Sequence, residues 1–72
     1  MKKTFKMQDL DCANCAAKME NAINKIQGVK SASVNFMAQR LIIEAEEVDF
    51  PRIMKEAKKA VSKVDSDCTI VD

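Results

Sequence analysis

From Lys3 to Gln8 polar and apolar residues alternate, with Phe5 and Met7 on one side and Thr4, Lys6 and Gln8 on the other. That period of two predicts a half-buried strand. From about Asn14 to Gln27 the period changes. Ala16, Met19, Ile23 and Ile26 recur at steps of three, four and three, which predicts a helix with one apolar stripe. Gly28, the only glycine, is placed to end that helix in a left-handed cap. Alternation then returns twice, in Ala32, Val34 and Phe36 and again in Leu41, Ile43 and Ala45 within Arg40 to Glu46. The short link Met37–Gln39 lets these two strands pair as a hairpin, although it lacks an Asn-Gly signal. A second helix is expected from near Asp49, with Pro51 tolerated in its first turn. Its stripe is Phe50, Ile53, Ala57, Val61 and Val64, with Met54 alongside. Cys68 to Ile70 suggests a short closing strand.

Strand, helix, strand, strand, helix, strand is the α+β, ferredoxin-like βαββαβ arrangement. Each helix has a single apolar stripe, so both can cover one face of a four-stranded antiparallel sheet. The other face would carry Thr4, Lys6, Ser33, Arg40 and Glu44 and stay wet. In this topology the first and last strands are neighbours. The segment 65–68 is therefore expected close to the Asp9–Cys15 loop that joins the first strand to the first helix. No linker, repeat or low-complexity stretch interrupts the chain, and residues 1–72 read as a single domain near the lower size limit of a lone hydrophobic core.

Composition narrows the function. Twelve basic against eleven acidic residues leave a net charge of +1, and Trp and Tyr are absent. Nucleic-acid binders usually carry a basic surplus and aromatic stacking residues, so that class is disfavoured. The longest apolar run, Leu41-Ile42-Ile43, is far short of the roughly 20 residues that span a bilayer, so no membrane contact is expected of this segment. Three cysteines make no complete disulfide framework and no signal-like run opens the chain. A cytosolic setting, with thiols reduced, is the expectation.

Chemistry concentrates in Asp11-Cys12-Ala13-Asn14-Cys15. A C-x-x-C pair at a helix start places both sulfurs within reach of one ion. The free N–H groups and partial positive charge there favour thiolate, the form that binds soft metals. Two thiolates can suffice for Cu(I). Zn(II) prefers four ligands, with sulfur at about 2.3 Å and carboxylate oxygen at about 2.0–2.2 Å. Asp11 supplies the extra hard donor that a divalent ion wants. It also discriminates by charge, since the three anions leave −1 around Zn(II) or Cd(II) but −2 around Cu(I). One extra unit charge at roughly 4 Å amounts to about 4 kcal/mol at an effective dielectric near 20, reduced by exposure at a loop. The sign favours divalent ions, partly by disfavouring the monovalent one.

Residues 7–20, Met-Gln-Asp-Leu-Asp-Cys-Ala-Asn-Cys-Ala-Ala-Lys-Met-Glu, together with Gly28-Val29 and Ser33-Val34-Asn35-Phe36, resemble the heavy-metal-associated domain. The resemblance runs through essentially the whole chain. It implies the βαββαβ fold, metal held by the loop cysteines, and a role as a free metallochaperone or as an N-terminal domain of a metal-exporting P-type ATPase. Copper members usually carry Gly-Met-Thr or Gly-Met-Ser before the first cysteine. Here Asp9-Leu10-Asp11 stands instead, similar to the zinc, cadmium and lead branch. By that similarity Asp11, Cys12 and Cys15 are the ligands. Leu10 replaces the usual Met as an apolar plug beneath the loop, and Asp9 replaces the usual Gly. Copper members often place Gly-Tyr or Gly-Phe before the last strand, whereas this chain has Val64-Asp65-Ser66-Asp67-Cys68, which better suits a divalent site.

Each of these residues also has a plainer reading. Cys12 and Cys15 could be small packing residues or a redox pair, though thioredoxin-like proteins are longer and set a proline against their thiols. Asp11 could cap the first helix, with ligation taking over in the loaded form. Cys68 sits where core packing is expected, with a third-thiolate role as the alternative; Asp65 is a weaker candidate of that kind. Lys55, Lys58, Lys59 and Lys63 read as a solvated face or a docking surface for an acidic partner. The leading expectation is a non-catalytic domain of a pump for Zn(II), Cd(II) or Pb(II), partnered by the pump's other domains or by a metal-transfer protein. A free chaperone, possibly for Cu(I), comes next, and a small thiol redox protein after that.

Overall fold

The computed structural model describes residues 1–71. Its elements are β1 (Lys2–Gln8), α1 (Ala13–Asn24), β2 (Val29–Asn35), β3 (Arg40–Ala45), a 3-10 turn (Glu47–Asp49), α2 (Phe50–Val64) and β4 (Thr69–Val71). The sheet runs β2-β3-β1-β4, every pair antiparallel, so the expected ferredoxin-like arrangement is present. Alternation sets the faces. Met7, Ala32, Leu41, Ile43, Ala45 and Ile70 are buried beneath the helices, while Thr4, Lys6, Ser33 and Arg40 on the opposite face are exposed. The helices close the core with Met19 and Ile23 from α1 and Ile53, Ala57 and Val61 from α2. At roughly 25 cal/mol for each Å² of apolar surface withdrawn from water, this burial is the main driving force for the fold.

Element ends depart from expectation where local turns compete with the helix. α1 stops at Asn24 instead of Gln27, because the chain tightens into three-residue turns. The Lys25 N–H donates to the Ala22 carbonyl, Ile26 to Ile23, and Val29 to Ile26. This keeps Ile26 against the core while steering the backbone out of the helix. Gly28 does adopt a positive φ of 99°, but it turns the chain into β2 and does not cap α1, whose C-cap is Lys25. A Cβ at Gly28 would lie 2.6 Å from the Arg52 guanidinium, which donates to the Gln27 carbonyl at 2.7 Å. Asp49 precedes α2 as expected, with Pro51 in the first turn, but its side chain makes no capping hydrogen bond. A register shift between Val29 and Ser31 inserts an extra residue opposite β3.

The ladders position the loop of interest. β1 pairs with β3 through Lys6↔Arg40 and with β4 through Gln8↔Thr69. The loop leaving β1 therefore emerges between the β2–β3 hairpin turn and the 65–68 segment that enters β4.

Candidate metal centre

The loop begins at Asp9, whose φ is 60°. Left-handed backbone disfavours most side chains but is accessible to Asp, so this residue makes the bend that glycine makes elsewhere. Leu10 then turns inward and is only 2% exposed, serving as the apolar plug under the loop. Asp11 is exposed, and Cys12 and Cys15 are half-buried.

Cys12, not Asp11, is the N-cap of α1. It has the extended backbone of a cap, φ −133° and ψ 120°, and its Sγ accepts the Cys15 N–H at 3.2 Å. The Cys12 carbonyl starts the helix ladder by accepting from the Ala16 N–H at 3.0 Å. A thiol thus takes the place of the hydroxyl or carboxylate that normally meets a helix's free N–H groups. Capping, the plainer reading of Asp11, thus falls to Cys12 instead, and the Asp11 side chain is exposed.

The two thiols titrate in opposite directions. Cys12 is held below the ordinary thiol range, first by a hydrogen bond with the Cys15 side chain, then by the Cys15 and Asn14 N–H groups, with help from the Lys18 ammonium. Cys15 is pushed up, chiefly because its proton is the one held in that thiol–thiol bond. Burial and the charges of Cys12 and Asp65 add to the rise. Cys12 is thus the readier of the two to lose its proton, and an ion bridging both sulfurs must also displace the Cys15 proton.

Cys68 lies just before β4, buried in the core at 2% exposure. Burial raises its pKa first, and the carboxylates of Asp65, Asp9 and Asp11 and the Cys15 thiol raise it further. The 65–68 segment is thus within electrostatic reach of the loop, as the strand order implied, yet Cys68 stays a protonated core side chain. Among the described residues no three thiol, carboxylate or imidazole groups are gathered as a ready-made cage. The structure brings Cys12 and Cys15 together and leaves Asp11 beside them in the open loop.

One residue of this neighbourhood went unread in the sequence. Gln39, in the hairpin link, has a φ of 55° and hydrogen-bonds Leu10 through its side chain. The signal available was an unusual one: a hairpin link with no glycine and a long amide at its last position.

A family model described as the heavy-metal-associated domain matches residues 4–67. The chain belongs to that family. As a heavy-metal-associated domain it is a metal-binding and non-catalytic unit with a ferredoxin-like fold. It is 31% identical over 70 residues to the cadmium, zinc and cobalt-transporting ATPase of Bacillus subtilis (strain 168), a match covering 97% of this chain and 10% of that protein. It is 33% identical over 63 residues to the copper-exporting P-type ATPase of the same organism, covering 88% of this chain and 8% of that protein. The chain spans about a tenth of the length of these relatives. Among solved structures, the N-terminal domain of ZntA in the apo-form superposes with a TM-score of 0.74 at 28% identity, covering 99% of this heavy-metal-associated domain and 89% of that chain. No helix among the described residues is long and apolar enough to cross a membrane.

Proposed function

We propose that this heavy-metal-associated domain captures Zn(II), Cd(II) or Pb(II) through Cys12, Cys15 and Asp11. In this reading residues 1–72 form one domain at the N-terminus of a P-type ATPase that exports such ions, facing the cytosol. There it regulates the pump or hands the ion on. The observation that carries the reading is an exposed carboxylate immediately before a half-buried thiol pair at a helix N-terminus. The open loop leaves room for an acceptor's ligand to enter before a donor's ligand leaves. Asp11, with no capping duty, is available to swing onto the ion as a hard donor. The similarity to a cadmium, zinc and cobalt-transporting ATPase over nearly the whole chain supports the same choice.

Competition titrations with Zn(II), Cd(II) and Cu(I) test it. Asp11→Ala should weaken Zn(II) and Cd(II) binding by roughly tenfold or more, equivalent to about 1.4 kcal/mol, while leaving Cu(I) binding unchanged or stronger. Equal losses for all three ions would remove the selectivity argument. Ultraviolet absorbance of the cadmium-loaded protein should show two thiolate contributions, with Cys68 silent.

A second reading is favoured by the 33% identity to a copper-exporting P-type ATPase: a Cu(I) carrier, either a pump domain or a free chaperone, using Cys12 and Cys15 alone. Cu(I) outcompeting the divalent ions irrespective of Asp11 is its signature.

A further inference from the structure

The turn between β2 and β3 reaches the thiol loop from 29 residues further along the chain. Gln39, at its end, uses both amide donors and its carbonyl oxygen there. Its Oε1 accepts the Leu10 N–H at 3.1 Å, while its Nε2 donates to the Leu10 carbonyl at 2.6 Å and to the Phe36 carbonyl at 3.0 Å. Two carbonyls needing donors and one N–H needing an acceptor leave a single orientation for the amide. The Gln39 carbonyl also accepts the Met7 N–H at 2.8 Å. The side-chain amide thus acts like one more rung of the β1–β3 ladder, laid past its last paired residues, Lys6 and Arg40.

The turn alone does not ask for this residue. At a φ of 55° Gly or Asn would be more comfortable, and only a longer amide reaches Leu10. Leu10 stands two positions before Cys12, and its side chain is locked in the core. With the Leu10 backbone held at both its N–H and its carbonyl, little freedom remains in the loop before the first sulfur.

We infer that Gln39 is a positioning residue of the metal centre, clamping the Leu10 peptide groups so that Cys12 stays aimed beside Cys15. This rests on the metal-binding reading above. The clamp supplies in advance part of the ordering that an ion would otherwise have to impose on an exposed loop.

The test uses Gln39→Asn and Gln39→Gly. Both suit left-handed backbone and keep the turn, and neither can span to Leu10. Amide hydrogen exchange on the metal-free protein should show Leu10 exchanging about tenfold faster in both variants, beyond any change at Ile43 and Ile53. Release of Cd(II) to excess chelator, followed by loss of thiolate absorbance, should accelerate by a similar factor, whereas Asn24→Ala, which removes hydrogen bonds away from the thiol loop, should release at the wild-type rate. Wild-type protection of Leu10, or wild-type release rates, in both variants would overturn the clamp while the metal reading stands. Wild-type protein that retains no Cd(II) would instead overturn the metal reading, before any variant is compared. Leu10 exchange would still decide whether the clamp exists, so the two failures are distinguishable.

Discussion

The thiols at the start of α1 share a proton unequally because Cys12 receives hydrogen bonds from the Cys15 side chain and helix amides, whereas Cys15 gives one. The thiolate is the nucleophile, so reactivity should follow the same order. On raising pH, iodoacetamide should label Cys12 first and Cys15 later, with Cys68 protected in the core until unfolding; peptide mass spectrometry reads the order. Simultaneous labelling of the pair would contradict the unequal sharing. The sign for metal uptake follows. Acid refills both sulfurs with protons, so affinity falls as pH drops through the lowered Cys12 value, and Cys15 requires proton release even above it. At this scale the sequence was informative about residue type and spacing: the thiol pair, the Leu10 plug and the Cys68 packing position were all readable. The cap was not. Asp11 and Cys12 are adjacent, and only the backbone at Cys12, extended and followed by helix, decides which of them meets the free amides. Gln39 was likewise hidden, since its partner lies 29 residues away.

At the scale of elements, α1 does more than bury its stripe. Asn24 donates to the Ala32 carbonyl at 2.9 Å and accepts the Ala32 N–H at 2.8 Å, and Glu20 accepts the Val34 N–H at 3.0 Å. These polar side chains meet outward backbone groups at Ala32 and Val34 of β2, an outer strand of the sheet. Asn24→Ala should cost about 1–2 kcal/mol in urea unfolding, because it withdraws both partners of Ala32 at once. A loss within about 0.3 kcal/mol of zero would mean that water replaces them freely. The apolar spacing of both helices and all four strands could be read from the chain because burial on one face enforces it. Hydrogen bonds from a helix to a strand edge leave no periodic trace. The early end of α1 escaped for a related reason: Ile26 continues the stripe although it already sits in a three-residue turn.

For the whole molecule, stability and cargo are linked. A fold of 72 residues has a small core, so an ion bound only by the native state should raise its melting temperature substantially. At Cd(II) near a hundred times the dissociation constant the gain is about 2.7 kcal/mol. For a domain of this size that corresponds to roughly 10–20 °C, less whatever the unfolded thiols bind. Calorimetry with and without Cd(II) checks it, and a double Cys12→Ser, Cys15→Ser variant should lose the shift. The α1 side chains seated along β2 have a further effect at this scale. Building a continuous ribbon of stacked sheets needs two receptive borders on every subunit, and here the middle of one border, at Ala32 and Val34, is already occupied from within. A strand adding along β2 would first have to displace Asn24 and Glu20. That obstacle to ribbon growth comes from hydrogen bonding alone, without any change in charge.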